Sequence, residues 1–318
     1  MDALSVFGAG EICMKKFIER NFNLVLFLSL IVGMTVPGIE HVPNFVVSVL
    51  LGIIVFFLCS KISLSEIKAI SVKEVSAFYL ARFIALPVGM FYLANLVVPQ
   101  YAVGILLLAL MPAGISTPVF VSTQKGNVSL AFLLMLASSL LAPVVVPMVF
   151  ALSHSDTEIE LLGIFYTLTS VILVPFAAYF ALTSVRPQVK PFIERNNAFV
   201  SVVFLGIIIA VVISKQREEF LSSYNAFAVV VAILSLMFLL FYVFGWLFTG
   251  RQGKRADKVC YSFSSGANNT AVGINLALVY FSADTIFFMV LSELTWVLAI
   301  PAFNFVLRRF QSVAYSEA

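Results

Sequence analysis

Charged residues are scarce in this 318-residue chain. Asp, Glu, Lys and Arg make up only 11% of the sequence, whereas hydrophobic residues make up 61%. So few charges cannot coat a soluble globule of this size, and the composition therefore indicates an integral membrane protein surrounded by the lipid bilayer. The net charge of +3 is too small to indicate a nucleic-acid partner, and we expect none.

Metal-binding and nucleophilic side chains are scarce as well. The three cysteines are odd in number and lie in no paired spacing, which argues against a disulfide scaffold or a structural zinc site. The two histidines, His41 and His154, fall in predicted loops. Because no second buried acid accompanies Glu293 and no His-Glu-x-x-His motif exists, we expect no catalytic residues, no metal site, no cofactor and no enzyme activity.

Long hydrophobic runs fill almost all of the sequence. Windows of about 20 apolar residues give ten candidate spans. They cover 21–38, 43–60, 74–97, 101–123, 128–152, 159–183, 198–214, 222–248, 258–280 and 284–307. The sequence therefore predicts an all-α membrane protein with ten transmembrane helices and a cytoplasmic N-terminus over residues 1–20.

The basic residues are unevenly divided between the two predicted sides of the membrane. Of the 19 Lys and Arg residues, all but three fall in loops on one side. Lys215 and Arg217 lie on the opposite side, and Arg82 lies within a span. The positive-inside rule places both termini in the cytoplasm, and we expect a multi-pass protein of the inner (plasma) membrane.

The order of the spans predicts an internal repeat. Dividing the chain at the 153–158 loop gives a first repeat over 21–152 and a second over 159–308, with five spans in each. Because five is odd, the second repeat enters the membrane from the opposite side, so the repeats are inverted. This expectation depends on span order, since the two halves share little residue-level similarity.

Two segments interrupt the fourth span of each repeat with helix breakers and uncharged polar side chains. They are Pro112-Ala-Gly-Ile-Ser-Thr-Pro118 and Ser264-Ser-Gly-Ala-Asn-Asn-Thr270. Backbone that leaves helical geometry at membrane depth must be satisfied by protein, ions or water. Paired interruptions of this kind point to the binding site of a secondary transporter. A proline-kinked helix and polar contacts between packed helices are the simpler alternatives.

The polar residues of both interruptions are the predicted substrate-binding set. This set comprises Asn269, Asn268, Ser265, Ser264, Gly266, Thr270, Ser116, Thr117, Gly114 and Pro118. Half-helix N-termini that meet there carry partial positive charge, which favours a carboxylate or a sulfonate.

The same residues carry a family resemblance. The run from Pro112 to Val119, followed by Gln124-Lys-Gly-Asn127, together with Ser264-Ser-Gly-Ala-Asn-Asn269, resembles the crossover motifs of the bile acid:sodium symporter family. The resemblance implies two inverted five-helix repeats with discontinuous crossing helices four and nine. It also implies a core domain from spans 3–5 and 8–10 and a panel domain from spans 1, 2, 6 and 7. Members of that family carry organic anions, such as bile acids or pantoate-like acids, usually with two sodium ions.

Several positions depart from the family's sodium ligands. Thr117 stands for a crossover serine, and the Asn268–Asn269 pair matches, so Thr117 and Asn268 are possible residual sodium ligands. An asparagine, two hydroxyl residues and a glutamate of the family are replaced by Pro118, Ala131, Met135 and Ser264. Because hard cations favour oxygen ligands, these changes imply atypical or absent sodium coupling.

Two charges lie at mid-membrane depth. Counting about 1.5 Å per residue places Arg82 about 13 Å and Glu293 about 15 Å into a core about 30 Å thick. Each must face protein, water or a partner. The sequence leaves open a static Arg82–Glu293 ion pair, an Arg82 that binds a substrate carboxylate or replaces the coupling ion, and a Glu293 that carries a proton. Sodium or a proton is therefore the expected coupling ion, if there is one.

The sequence as a whole predicts a secondary active transporter. We expect it to move an organic anion, bile-acid-like or a small carboxylate, by alternating access and to be a monomer. The alternative is a channel or a non-transporting membrane sensor built on the same fold, because broken helices also occur in pores.

Overall fold

The computed structural model describes residues 15, 17–18, 21–61, 72–114, 116–153, 160–222, 224–250, 252–296, 299 and 303. Over these ranges the chain is helical, and its only extended pairing is one isolated β-bridge. The predicted all-α class is confirmed. Most of the predicted cytoplasmic segment 1–20 and the end of the tenth span lie outside the described residues.

The described part of the first half of the chain contains six helices besides short 3-10 turns. They are α1 (Phe22–Thr35), α2 (Asn44–Leu58), α3 (Val72–Leu80, Ala81–Ala85 and Leu86–Val97 in one continuous run), α4 (Ala102–Leu110), α5 (Thr117–Thr123) and α6 (Val128–Ser153).

Over the described residues, the second half contains seven helices besides one short 3-10 turn. They are α7 (Leu161–Leu168, Thr169–Leu173 and Val174–Val185 in one continuous run), α8 (Lys190–Lys215), α9 (Arg217–Ser222), α10 (Tyr224–Phe248), α11 (Arg255–Gly266), α12 (Thr270–Tyr280) and α13 (283–296).

Helix length and composition agree with a membrane protein. Among the described residues, five helices are long and apolar enough to cross a membrane, and several shorter helices are equally apolar. The five are Lys73–Val97, Val128–Ser153, Leu161–Val185, Pro187–Lys215 and Ala226–Phe248. The shorter ones include α4 and α12, each of which is one part of an interrupted helix.

Two helices contain a π-helical turn just before a proline. Ala81–Ala85 precedes Pro87 in α3, and Thr169–Leu173 precedes Pro175 in α7. Proline has no N–H to donate to the preceding turn, and a widened π turn is one way a helix accommodates that loss. The turn in α3 contains Arg82, so the local chemistry of Pro87 helps to set where this side chain lies.

The chain divides into two compact units. The first unit comprises Met1–Ile62 and Thr169–Glu218, and it includes α1, α2, α8 and the later part of α7. The second unit comprises Ser63–Leu168 and Glu219–Ala318, and it includes α3–α6 and α10–α13.

Small residues allow helices to approach closely within each unit. In the first unit, Gly33 of α1 faces the backbone of Ala210 in α8, with no room for a Cβ. In the second unit, Gly245 of α10 lies against the backbone of Tyr261 in α11. Such close backbone approach is the usual way in which membrane helices pack without a hydrophobic driving force.

A polar cluster in the first unit closes the turn after α1. Glu40 Oε2 accepts the Gly38 amide and the Ser214 hydroxyl, each at 3.0 Å, and lies 3.8 Å from the Arg217 guanidinium. Arg217 also donates to the carbonyl of Val36 at 3.0 Å, just beyond the end of α1. The amides of Glu40 itself and of Gly38, followed by the Ser214 hydroxyl, lower the pKa of the Glu40 carboxyl.

Candidate functional site

The two interrupted helices meet at their breaks, in the second unit. Helix α4 ends at Leu110 and α5 begins at Thr117, while α11 ends at Gly266 and α12 begins at Thr270. Between them, Ala113 and Asn268 form an antiparallel bridge. Gly114 N donates to Ala267 O at 2.6 Å, and Asn269 N donates to Pro112 O at 2.8 Å. We call this meeting point, residues 111–114, 116 and 267–269, the crossover.

The crossover satisfies backbone groups that the broken helices leave unpaired. The amide of Ala113 donates to Ser138 Oγ of α6 at 3.1 Å. The Asn268 side-chain amide donates to Leu108 O at 3.1 Å, and Thr117 Oγ1 donates to Ala267 O at 3.4 Å. Because an unpaired buried amide or carbonyl is costly, these contacts explain how irregular backbone persists in an apolar interior.

Gly114 lies in the first break at a position where a side chain would crowd the pairing. A Cβ at Gly114 would lie 3.1 Å from the carbonyl oxygen of Ala267. That carbonyl is the acceptor for the Gly114 amide. The glycine therefore permits the close approach of the two breaks.

Arg82 lies at the crossover and is completely buried, with 0% of its surface exposed. Its Nε and Nη2 donate to the carbonyl of Ser265 at 3.0 and 2.7 Å, and Nε also contacts Ser265 Oγ at 2.9 Å. Nη1 donates to the carbonyl of Ala109 at 2.8 Å, and Nη2 donates to Asn268 Oδ1 at 2.9 Å. One guanidinium thus joins α3 to both interrupted helices.

The backbone carbonyls that accept from Arg82 lie at the ends of two helices. Ala109 lies in the last turn of α4, and Ser265 lies in the last turn of α11. Carbonyls in a last helical turn lack intrahelical partners and carry partial negative charge, so a cation is stabilised there. The rings of Phe241 and Phe83 lie 4.0 and 4.9 Å from the guanidinium carbon and add cation–π attraction.

The Arg82–Glu293 ion pair that the sequence allowed is absent from the described residues. The donors of Arg82 are directed to carbonyl and amide oxygens, and a carboxylate is not among the partners of its guanidinium. Full burial also keeps Arg82 away from any external carboxylate in this conformation. Helix-end carbonyls provide the negative partner of Arg82, a role for which Glu293 was one of the alternatives that the sequence left open.

Glu293 has a different partner. Its side chain is only 3% exposed on α13, and its Oε2 accepts the hydroxyl of Thr270. Thr270 is the first residue of α12 and directly follows Asn269, whose Oδ1 accepts the Val272 amide at 3.4 Å as the N-cap. Glu293 therefore lies beside the crossover, at the start of a half-helix.

The ten predicted substrate-binding residues all belong to the crossover or its flanking turns, but they are not equally accessible. Eight of them are buried, whereas Ser116 and Asn269 keep part of their surface exposed. These two residues precede the first turns of α5 and α12. Ser264 Oγ lies 3.9 Å from Cys260 Sγ on its own helix, and Gly266 packs under the ring of Tyr242.

The two possible residual sodium ligands are already engaged. Asn268 Oδ1 accepts a guanidinium N–H from Arg82, and Thr117 Oγ1 donates to a backbone carbonyl. Both side chains are buried. The Asn268 oxygen that would ligate sodium therefore already accepts a hydrogen bond from the guanidinium of Arg82, a cation that is covalently part of the chain.

Sequence reasoning missed several groups that build this site. Ser138 is not in the predicted substrate-binding set, although the Ser138–Ser139 pair is a visible polar signal within an apolar span. The carbonyls of Leu108 and Ala109 carry no side-chain signal at all. The ring of Phe241, which covers Arg82, does not stand out among 32 phenylalanines.

Asn127 connects the interrupted helices at a second place. Its Oδ1 accepts the Leu130 amide at the start of α6, while its Nδ2 donates to Asp257 Oδ1 at 2.8 Å. Its own amide donates to Ala256 O at 3.0 Å. This asparagine follows the turn after α5 and binds the first turn of α11, so α5 and α11 are connected both here and at the crossover.

Comparison with known proteins decides the family. The pattern of the Sodium Bile acid symporter family matches residues 48–223, which is more than half of the chain. This chain belongs to that family. The symporter-family assignment makes the protein a membrane transporter and not an enzyme, as the sequence predicted.

The individual relatives have low sequence identity to this chain, but the matches cover most of its length. The chain is 25% identical over 273 residues to the uncharacterized sodium-dependent transporter YocS of Bacillus subtilis (strain 168), covering 84% of each protein. It is also 25% identical over 213 residues to the probable chloroplastic sodium/metabolite cotransporter BASS1 of Arabidopsis thaliana. That match covers 66% of this symporter-family chain and 52% of the relative, so the chain spans about half the length of the plant protein.

Proposed function

We propose that this symporter-family protein carries an organic anion by alternating access, with Arg82 in the place of a coupling sodium ion. The observation that carries this proposal is the guanidinium at the meeting of two half-helix C-termini. Transporters with discontinuous helices commonly use unwound carbonyls and half-helix C-terminal ends to coordinate Na⁺. Here the equivalent oxygens accept N–H groups from the protein itself.

The chemistry of the acceptors supports the substitution. A sodium ion needs several oxygen ligands, and the carbonyls of Ala109 and Ser265 with Asn268 Oδ1 are such oxygens. A guanidinium offers five N–H donors and keeps its charge throughout the physiological pH range. Sodium would have to compete with a covalently tethered cation for the same atoms. We therefore expect transport to be independent of a sodium gradient.

The substrate class follows from the family and from the accessible part of the crossover. The name of the plant relative describes a sodium/metabolite cotransporter, and the family is named for bile acids. Ser116 and Asn269 are the partly exposed polar residues of the predicted set. The start of α12 adds partial positive charge beside Asn269. A bile-acid-like molecule or a small carboxylate is the substrate that these features favour.

The finer architecture belongs to the same proposal. We propose ten spans in two inverted repeats, with α4–α5 and α11–α12 as the discontinuous fourth and ninth helices. The unit that contains α3–α6 and α10–α13 would act as the core domain, and the unit that contains α1, α2 and α8 would belong to the panel domain. A monomer in the inner (plasma) membrane with cytoplasmic termini completes this arrangement.

Uptake into proteoliposomes tests the proposal. A set of radiolabelled bile acids and small carboxylates is offered with sodium or choline as the only monovalent cation outside. We expect saturable uptake and counterflow exchange of at least one anion at equal rates in the two salts. The Asn269→Ala variant should weaken the apparent affinity, whereas Asn95→Ala, on α3, serves as the matched control.

Two outcomes would contradict the proposal separately. If folded protein exchanges none of the anions, the carrier function is wrong. If exchange is present but requires sodium, the carrier function stands and the role of Arg82 as the replacement cation is wrong.

A further inference from the structure

The proposed role of Arg82 does not explain why the carboxyl group of Glu293 is buried beside the crossover. It is 3% exposed, and its hydrogen-bond partner among the described residues is the hydroxyl of Thr270. Within that part of the chain, no Lys, Arg or His forms an ion pair with it. A carboxylate buried without a cation is strongly disfavoured relative to the neutral acid.

The elements around Glu293 offer little charge. Helices α4 and α5, which contact Phe288 and Trp296 of α13, contain no titratable residue, and the titratable residue of α12, Tyr280, contacts Thr167 at the far end of that helix. On α13 itself, Asp284 is exposed and lies nine positions earlier. From α3, Arg82 directs its donors to helix-end oxygens.

The remaining titratable side chains nearby are neutral or otherwise engaged. Tyr101, just before α4, stacks on Phe288 of α13. On α11, Asp257 accepts from Asn127, Arg255 donates to the carbonyl of Gln124, and Lys258 lies in the first turn, at the opposite end of the helix from the crossover. The other ionisable groups of α11 are Cys260 and Tyr261, and Tyr242 of α10 packs over Gly266. A stable positive partner for an ionised Glu293 is therefore not found in the described surroundings.

Glu293 is connected to the crossover by a hydrogen bond and by packing contacts of its helix. Thr270, its partner, follows Asn269, whose amide donates to Pro112 O of the other broken segment. Met289, one turn before Glu293 on α13, packs against Gly273 of α12, where Met111 also lies. A change in the charge or hydrogen bonding of Glu293 thus acts directly on the first turn of α12.

Two buried donors lie close to this region without partners. The indole N–H of Trp296, three residues after Glu293 on the same helix, has none among the described residues. The same holds for the hydroxyl of Tyr242, which packs over Gly266. Unsatisfied buried groups of this kind are the usual partners of internal water, which is also what a proton needs to reach a buried acid.

We infer that Glu293 is the proton-binding site that couples this carrier to a proton gradient. The inference rests on the proposed function, since a tethered Arg82 cannot dissociate and so cannot transfer the energy of an ion gradient. A proton from water on one side forms the O–H bond of the Glu293 carboxyl group, which is then neutral and stable in the buried state. The same O–H bond breaks when the site opens to the other side, and the proton passes to water there.

The test compares Glu293→Gln with Asp284→Asn, an exposed carboxylate on the same helix. In proteoliposomes, one proton per anion would support about tenfold accumulation for each pH unit of the gradient. We expect the wild type and Asp284→Asn to accumulate the anion under a proton gradient. Glu293→Gln should lose that accumulation and keep exchange at equal pH, because glutamine mimics the protonated acid and still accepts from Thr270.

Infrared difference spectroscopy tests the same site without transport. Wild-type protein in lipid should show a protonated-carboxyl stretch that changes with pH and is missing in Glu293→Gln. Retained proton-driven accumulation in Glu293→Gln, or a wild-type spectrum without that band, would overturn the inference. If wild-type protein exchanges no anion, the proposed function fails, while the spectrum still decides whether Glu293 binds a proton.

Discussion

Removal of the Arg82 guanidinium should expose both its structural and its ionic role. Arg82→Gln leaves the carbonyls of Ala109 and Ser265 and the Asn268 side-chain oxygen without their donor. A buried acceptor that loses its donor costs about 1–3 kcal/mol. Because the glutamine and the surrounding helices relax partly, we take the low end for each group, which gives a loss of about 3 kcal/mol in the free energy of unfolding.

The same change should create a sodium site. The three oxygens released by the substitution all lie within 2.9 Å of Nη1 or Nη2 in the wild type, and the lost positive charge leaves the helix ends uncompensated. Sodium at a hundredfold excess over its dissociation constant would stabilise the variant by about 2.7 kcal/mol, close to the predicted loss. We expect the Arg82→Gln variant, and not the wild type, to be more stable in sodium chloride than in choline chloride.

Buried cysteines provide a convenient assay. Cys59 and Cys260 are free and buried, so a thiol-reactive fluorophore reports their exposure as the purified protein unfolds on heating. Arg255→Gln is the matched control, because Arg255 is exposed and, among the described residues, donates to the carbonyl of Gln124 at 3.2 Å. An Arg82→Gln variant as stable as this control, or a wild-type protein that sodium itself stabilises, would refute the reasoning.

Three further predictions concern other parts of the fold. Ser138→Ala should destabilise the protein by about 1–3 kcal/mol, because the Ala113 amide loses its acceptor. Ser139→Ala is the matched control and should be neutral or stabilising, since the Ser139 hydroxyl has no hydrogen-bond partner among the described residues. Gly245→Val should prevent the close packing of α10 on α11, seen as loss of folded protein in size-exclusion chromatography. Because the pKa of Glu40 is lowered in the folded state, the stabilisation from its ionised carboxylate should be complete well above pH 4.5, its ordinary pKa, and should be lost as the pH falls. A Glu40→Gln variant whose stability differs from that of the wild type by the same amount at pH 7 and at pH 3.5 would contradict this.

The helix breaks could be predicted from sequence because their chemistry is local. Pro112 and Pro118 remove backbone donors, and the adjacent Asn268 and Asn269 are costly in an apolar helix unless they find partners. These signals located both interruptions, and the structure brings them into backbone contact. Five of the predicted spans correspond to described helices that are long and apolar enough to cross a membrane, although the sequence did not show the widened turn that contains Arg82.

The partners of the two buried charges could not be predicted in this way. Counting residues from the membrane edge placed Arg82 and Glu293 at similar depth, and depth alone made an ion pair the simplest arrangement. Depth does not give the direction in which a side chain points, and the π turn at Ala81–Ala85 changes that direction for Arg82. Its acceptors are mainly backbone carbonyls, which every residue has and which therefore leave no trace in the sequence.

The two charges nevertheless mark the places where local rules of membrane folding are broken, and such places are where function is expected. A buried cation is tolerable at Arg82 because two helix ends supply its negative partners. Glu293 has no such compensation in the described structure, where its partner is the Thr270 hydroxyl, and this is why we propose that its charge changes during the cycle. In the proposed mechanism, the fixed charge of Arg82 holds the broken helices together, and the exchangeable charge of Glu293 lies beside them. A bound sodium ion would perform both tasks, because it compensates the helix ends and leaves at the end of each cycle.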